Sequence, residues 1–154
     1  MKKILSTLFL LGSLIGLKAQ TTDTSATQKI GGYRLEKDEV VFVFNPNEHR
    51  DFTTSYGMWR SKENVKVKKV TLCGEFNSWM TTAKNYQMTK VGEVYEYRMK
   101  LSDFKGKSKV EFKFVVNEKY WAEPKQDFTN TTQSMPEFTI PKNFILNLVQ
   151  PETN

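Results

Sequence analysis

Trp79 stands at the exit of a tight turn, in the run Val70-Thr71-Leu72-Cys73-Gly74-Glu75-Phe76-Asn77-Ser78-Trp79. An indole in that position can cap a core or offer its flat face to a ligand, with a polar N–H at its edge. Trp121, after Asn117-Glu118-Lys119-Tyr120, poses the same choice. Between them lies Val110 to Asn117, where alternation turns Val110, Phe112, Phe114 and Val116 inward and Glu111, Lys113 and Val115 outward. Lys113 could therefore serve a surface site, and an ordinary solvated lysine would read the same. Catalysis would need other groups. Glu93, Glu96, Glu111, Glu118, Glu123 and Asp127 are numerous enough for a glycosidase pair, yet no motif shields one carboxylate and exposes another. There is no Gly-x-Ser-x-Gly elbow. The single histidine, His49, has no second histidine or cysteine near it to share a metal. The expectation is a non-catalytic chain without metal or cofactor.

The elements that must position these residues are strands. Val70 and Leu72 alternate with Thr71 and Cys73; Gly74 suggests a bulge or a positive φ, and Asn77 with Ser78 can close the turn through their own backbone. Val40 to Phe44 is five apolar residues long, rich in β-branched and aromatic types, and ends in Asn45-Pro46-Asn47. Tyr86 to Thr89, a Val91-Gly92-Glu93 turn and Val94 to Leu101 read as a hairpin with Tyr95, Tyr97, Met99 and Leu101 on one face. Ser102 to Ser108 is a loop, Pro124, Pro136 and Pro141 punctuate an irregular tail, and Phe144 to Val149 is a last strand. Residues 46–64 show no clear period; Tyr56, Met58 and Trp59 there are either a functional loop or a short strand covering a core edge. Short strands with turn signals and no helical period predict an all-β, antiparallel β-sandwich.

Ahead of this region, Lys2-Lys3, the apolar run Ile4 to Leu17 and Ala19 have the layout of a secretory signal peptide, so residues 1–19 are expected to be removed. The run is interrupted by Ser and Gly and falls short of the ~18 residues a span requires, so no membrane span is expected in the mature chain. Residues 20–38 read as a flexible polar lead-in and 39–150 as one domain, secreted or periplasmic. The formal charge of +6 includes Lys2, Lys3 and Lys18. Acidic residues are interleaved through the rest, and Lys66-Val67-Lys68-Lys69 reads as a solvated strand face, which argues against nucleic acid. Cys73 is the only cysteine, so no intramolecular disulfide can form. Its expected role is that of a small buried hydrophobe, and no cysteine near the cleavage point offers a lipid anchor.

Gly74-Glu75-Phe76-Asn77-Ser78-Trp79, Phe112-Lys113-Phe114-Val115-Val116-Asn117 and Trp121 together resemble the glycogen-binding module of AMP-activated protein kinase beta subunits, carbohydrate-binding module family 48. The similarity runs from about Val67 to Val149 and implies an immunoglobulin-like, early-set sandwich. It also implies an α-glucan ligand of glycogen or starch type, with Trp79, Lys113 and Trp121 forming the sugar-binding face. The hairpin Asn117-Glu118-Lys119-Tyr120 replaces the family's shorter Asp-Gly turn, so Tyr120 is an alternative second platform. The family's closing-loop asparagine corresponds to Asn143. A stacked sugar covering on the order of 100 Å² of indole contributes roughly 2.5 kcal/mol. Association costs ~4 kcal/mol or more, so at least two platforms must act on one oligosaccharide. The partners expected on this basis are the glucan and a glucan-active enzyme or other surface protein. A structural or protein-interaction sandwich without sugar binding is the alternative.

Overall fold

The computed structural model describes residues 29–132 and 142–148. The expected leader, the first part of the lead-in and the segment 133–141 before Asn143 lie outside the described residues. Among the described residues no helix is long and apolar enough to cross a membrane.

Among the described residues there are ten strands, β1 (Tyr33–Glu36), β2 (Glu39–Phe44), β3 (His49–Thr54), β4 (Trp59–Arg60), β5 (Val70–Gly74), β6 (Thr89–Val91), β7 (Val94–Lys100), β8 (Lys109–Val116), β9 (Tyr120–Pro124) and β10 (Phe144–Asn147). They form two antiparallel sheets packed face to face, an immunoglobulin-like all-β sandwich. The first sheet has the order β1-β2-β7-β6. The second runs β10-β8-β9-β3-β4, with β5 paired to the other side of β8. The core between them is aromatic. Phe42 of the first sheet meets Phe112 of the second edge to face, with centroids 4.8 Å apart, and Phe112 stacks on Phe144 at 5.4 Å. Such pairs contribute about 0.5–1.5 kcal/mol beyond their buried area.

Strand alternation follows from this core. Val40, Phe42 and Phe44 face it opposite Met99, Tyr97 and Tyr95 of β7. On the outer side Val41 is paired with Arg34 and Arg98, and although it faces away from the core it is fully buried. The aliphatic stems of such arginines can cover an apolar neighbour while the guanidinium groups stay in water, and here those groups ion-pair Glu36, Glu39 and Glu96.

The structure corrects several expectations. The folded unit starts before Glu39, because β1 pairs along its whole length with β2 and Gly31 is held by Asn130. The stretch 46–64 holds the short strand that was one of its two expected readings, β4 with Trp59, and also an unforeseen buried strand, β3, that pairs with it as a hairpin. His49 therefore begins a strand inside the core, stacked 4.6 Å from Phe44, and does not sit in a loop. The strand foreseen at Tyr86 to Thr89 starts later, since Lys84–Tyr86 is a 3-10 turn. The Lys66 to Lys69 stretch forms no strand and runs beside the core with Val65 and Val67 packed on it.

Candidate functional site

Gly74 is needed for room and not for an unusual backbone. Its φ of 177° is ordinary extended chain, but an added Cβ would lie 2.7 Å from the Glu111 carbonyl oxygen and from the Phe76 ring. The left-handed residues come later, Ser78 at φ 51° and Trp79 at φ 59°. A bulky residue in that region is strained, and the surroundings must hold it there. Asn77 does much of this: its Oδ1 accepts from Gly74 N–H and its Nδ2 donates to the Leu72 carbonyl. The Trp79 N–H then closes back on the Gly74 carbonyl. The indole is thereby delivered to the outer face of the second sheet.

Trp121 reaches the same face by a second route. Asn117 and Glu118 both have positive φ, at 53° and 60°, and Lys119 N–H donates to the Val116 carbonyl. This is the mirror-image two-residue turn that suits the twist of a hairpin. In the resulting register Trp121 lies beside Val115 and Thr53, while Tyr120 lies beside Val116 and Thr54. Alternation sends the two aromatic residues to opposite faces. Trp121 meets Trp79 with centroids 6.3 Å apart and planes inclined at 56°, and neither ring belongs to the core cluster. Tyr120 packs against that cluster, 6.3 Å from Phe52. Tyr120 therefore does not share a face with Trp79 and Trp121.

The two indoles wall a cavity of about 380 Å³ with Lys113 and Asn143, and the β3 end contributes Thr53, Thr54, Ser55 and Gly57. Four of the five residues singled out in the sequence thus meet in one place, and Tyr120 stands apart. Lys113 corrects the picture of a solvated outward lysine: it faces outward but its side chain is only 3% exposed. Its Nζ donates to Glu123 Oε1 at 2.6 Å. Burial pulls the Lys113 pKa below its usual value, and the nearby Glu123 carboxylate opposes that shift. The same Oε1 accepts from Thr53 Oγ1 at 2.6 Å, and Oε2 accepts from Lys142 N–H. Both oxygens of Glu123 are thus engaged. An ammonium has three donors, and among the described residues only one of those of Lys113 is engaged. The Asn143 side chain, which lines the cleft, donates through Nδ2 to Glu111 Oε2.

In the sequence Glu123 was named only among carboxylates that no motif sets apart, and Thr53 was not named. The signal for Glu123 was its spacing two residues from Trp121 on one strand, which sets both on one face. Thr53 had none, because β3 itself was not recognised. Nearby, burial pushes the Cys73 thiol up to about 12, so it is an inert packing residue whose Sγ lies 3.4 Å from the Met80 carbonyl oxygen. Among the described residues no group of three or more His, Cys, Asp or Glu is arranged to hold a metal.

Compared with family models, with curated proteins and with solved structures, the chain finds no match.

Proposed function

We propose that this chain is a secreted or periplasmic, non-catalytic carbohydrate-binding module that holds an α-glucan in the cleft between Trp79 and Trp121. The observation that carries the reading is the convergence of these two indoles, from a turn and from a hairpin, outside the core and over one buried lysine. A pyranose presents C–H patches on its faces and hydroxyls around its rim, so it needs flat apolar walls and a few fixed polar groups. The inclined indoles supply the walls. The spare donors of Lys113, the Thr53 to Ser55 hydroxyls and Asn143 supply the rim contacts. The paired charges of Lys113 and Glu123 leave the floor without net charge, which suits a neutral glycan.

Retention on immobilised polysaccharides tests this. Glycogen and starch columns should retain the protein, and soluble maltoheptaose should elute it. Passage through every α-glucan column would favour the second reading, a protein-docking sandwich, for which the open edges β1 and β6 of the first sheet are the supporting feature.

A further inference from the structure

The connection from β3 to β4 is short and tightly held. Thr54 N–H donates to the Met58 carbonyl, Gly57 N–H to the Thr54 carbonyl, and Met58 N–H to Thr54 Oγ1. Gly57 sits at φ 75° with open space around it, so the turn demands glycine for its backbone alone. At the tip of this fixed turn the Tyr56 side chain is 90% exposed. The hydrogen-bonded turn fixes the backbone that carries this ring before any ligand arrives, and the exposed ring offers a stacking face there.

A second cavity, of about 320 Å³, lies on the far side of the same hairpin. Tyr56, Met58 and Arg60 line it from the hairpin, and Glu118 and Lys119 from the β8–β9 turn. Thr54 and Ser55 line both cavities, so the two are contiguous. They open on opposite faces of the β3–β4 ladder. Thr53 pairs with Trp59 and lines the first cavity, whereas Arg60, which pairs with Phe52 and shares its face, lines the second.

We propose that the second cavity is a further subsite for the same glucan, reached by a chain that leaves the Trp79–Trp121 cleft, passes over Ser55 and stacks on Tyr56. This rests on the reading of the first cleft as a glucan site. The bend carries chemical information. An α-1,4-linked chain curves along its length and can turn round the hairpin, whereas a β-1,4-linked chain is a straight ribbon and cannot occupy both faces. Arg60, Lys119 and Glu118 offer donors and an acceptor for ring hydroxyls, with Glu118 also ion-paired to Lys69 on the surface.

The test compares dissociation constants of the wild-type protein and Tyr56→Ala for maltotriose, maltoheptaose and cellohexaose. Wild type should bind maltoheptaose about tenfold more tightly than maltotriose, equivalent to about 1.4 kcal/mol. Tyr56→Ala should lose most of that gain with maltotriose binding unchanged; its exposure makes a folding defect easy to exclude by a denaturant melt. Equal affinity for both malto-oligosaccharides, or an equal loss on both, would overturn the second subsite and leave the first intact. A Tyr56-dependent gain on cellohexaose would overturn the bend. Failure of wild type to bind any of the three would remove the first reading and this one together.

Discussion

Lys113 is held by a buried ion pair with Glu123 and also lines the proposed glucan cleft. Alternation in Val110 to Val116 was enough to turn it outward, but its burial was not legible, because Glu123 lies on the neighbouring strand and the walls come from Trp79 and Trp121. A buried ion pair is weak support for stability as a whole, yet removing one partner strands a charge and costs about 3–5 kcal/mol. Glu123→Ala should therefore lower unfolding free energy by about that amount in urea melts, while Lys113→Met/Glu123→Met recovers much of the loss and still binds glucan poorly. A double variant that bound as well as wild type would detach the pair from the site. Trp79 and Trp121 behave differently because their strain and exposure serve no core. A buried tryptophan truncated to alanine costs about 3–5 kcal/mol, whereas these half-buried rings outside the core cluster should cost clearly less.

At the scale of elements, the sequence was most legible where apolar residues alternate at a period of two or run unbroken between turn signals. β2, β5, β7 and β8 show one or the other and were read, although β5 and most of β8 are buried on both faces. β3 was hidden because a register irregularity between His49 and Phe52 breaks its period of two, its buried set includes the polar His49, and Thr53 faces the cleft. β1 was hidden because it is a short edge strand of Tyr33-Arg34-Leu35-Glu36, with exposed residues in its middle. Its attachment is nevertheless substantial. Asn130, buried far along the chain, accepts from Gly31 N–H and donates to the Gly31 and Ile145 carbonyls, tying the start of the domain to β10. Leaving such buried groups unpaired costs ~1–3 kcal/mol, so Asn130→Ala should destabilise by about that much, read from the shift of the urea midpoint. Deleting the chain through Glu36 should cost at least as much, since it removes four β1–β2 register pairs worth roughly 0.2–1 kcal/mol each as well. A truncated domain as stable as the full chain would show that β1 is only a passenger on the sheet edge.

The whole molecule is a sandwich whose inner faces are filled by phenylalanines and whose second sheet carries the cleft on its outer face. The imidazole of His49 lies within that filling. Burial lowers the His49 pKa to about 3, and among the described residues its Nδ1 has no hydrogen-bond partner. The folded state therefore holds His49 neutral where the unfolded chain, near pKa 6.5, takes up a proton. Below pH 6.5 the unfolded state binds more protons, so stability present at pH 7 is lost as pH falls towards 3. The loss approaches about 1.4 kcal/mol per pH unit. Urea melts at pH 7 and pH 5 should show it, and His49→Leu should flatten the difference. The fold class was legible in the strand and turn pattern because an all-β core repeats one rule along the chain. The cleft was legible only as a set of residues, because their convergence depends on the register of β8, β9 and β3. The most direct test of the central claim measures two quantities on the same proteins, migration through native gels containing amylopectin and unfolding free energy in urea, for wild type, Trp79→Ala and Trp121→Ala. Wild type should be retarded by the polysaccharide, and each variant should lose most of the retardation while giving up less than about 2 kcal/mol of stability. Wild-type mobility unaffected by amylopectin, or variants that lose stability in step with retardation, would contradict a surface site built on paired indoles.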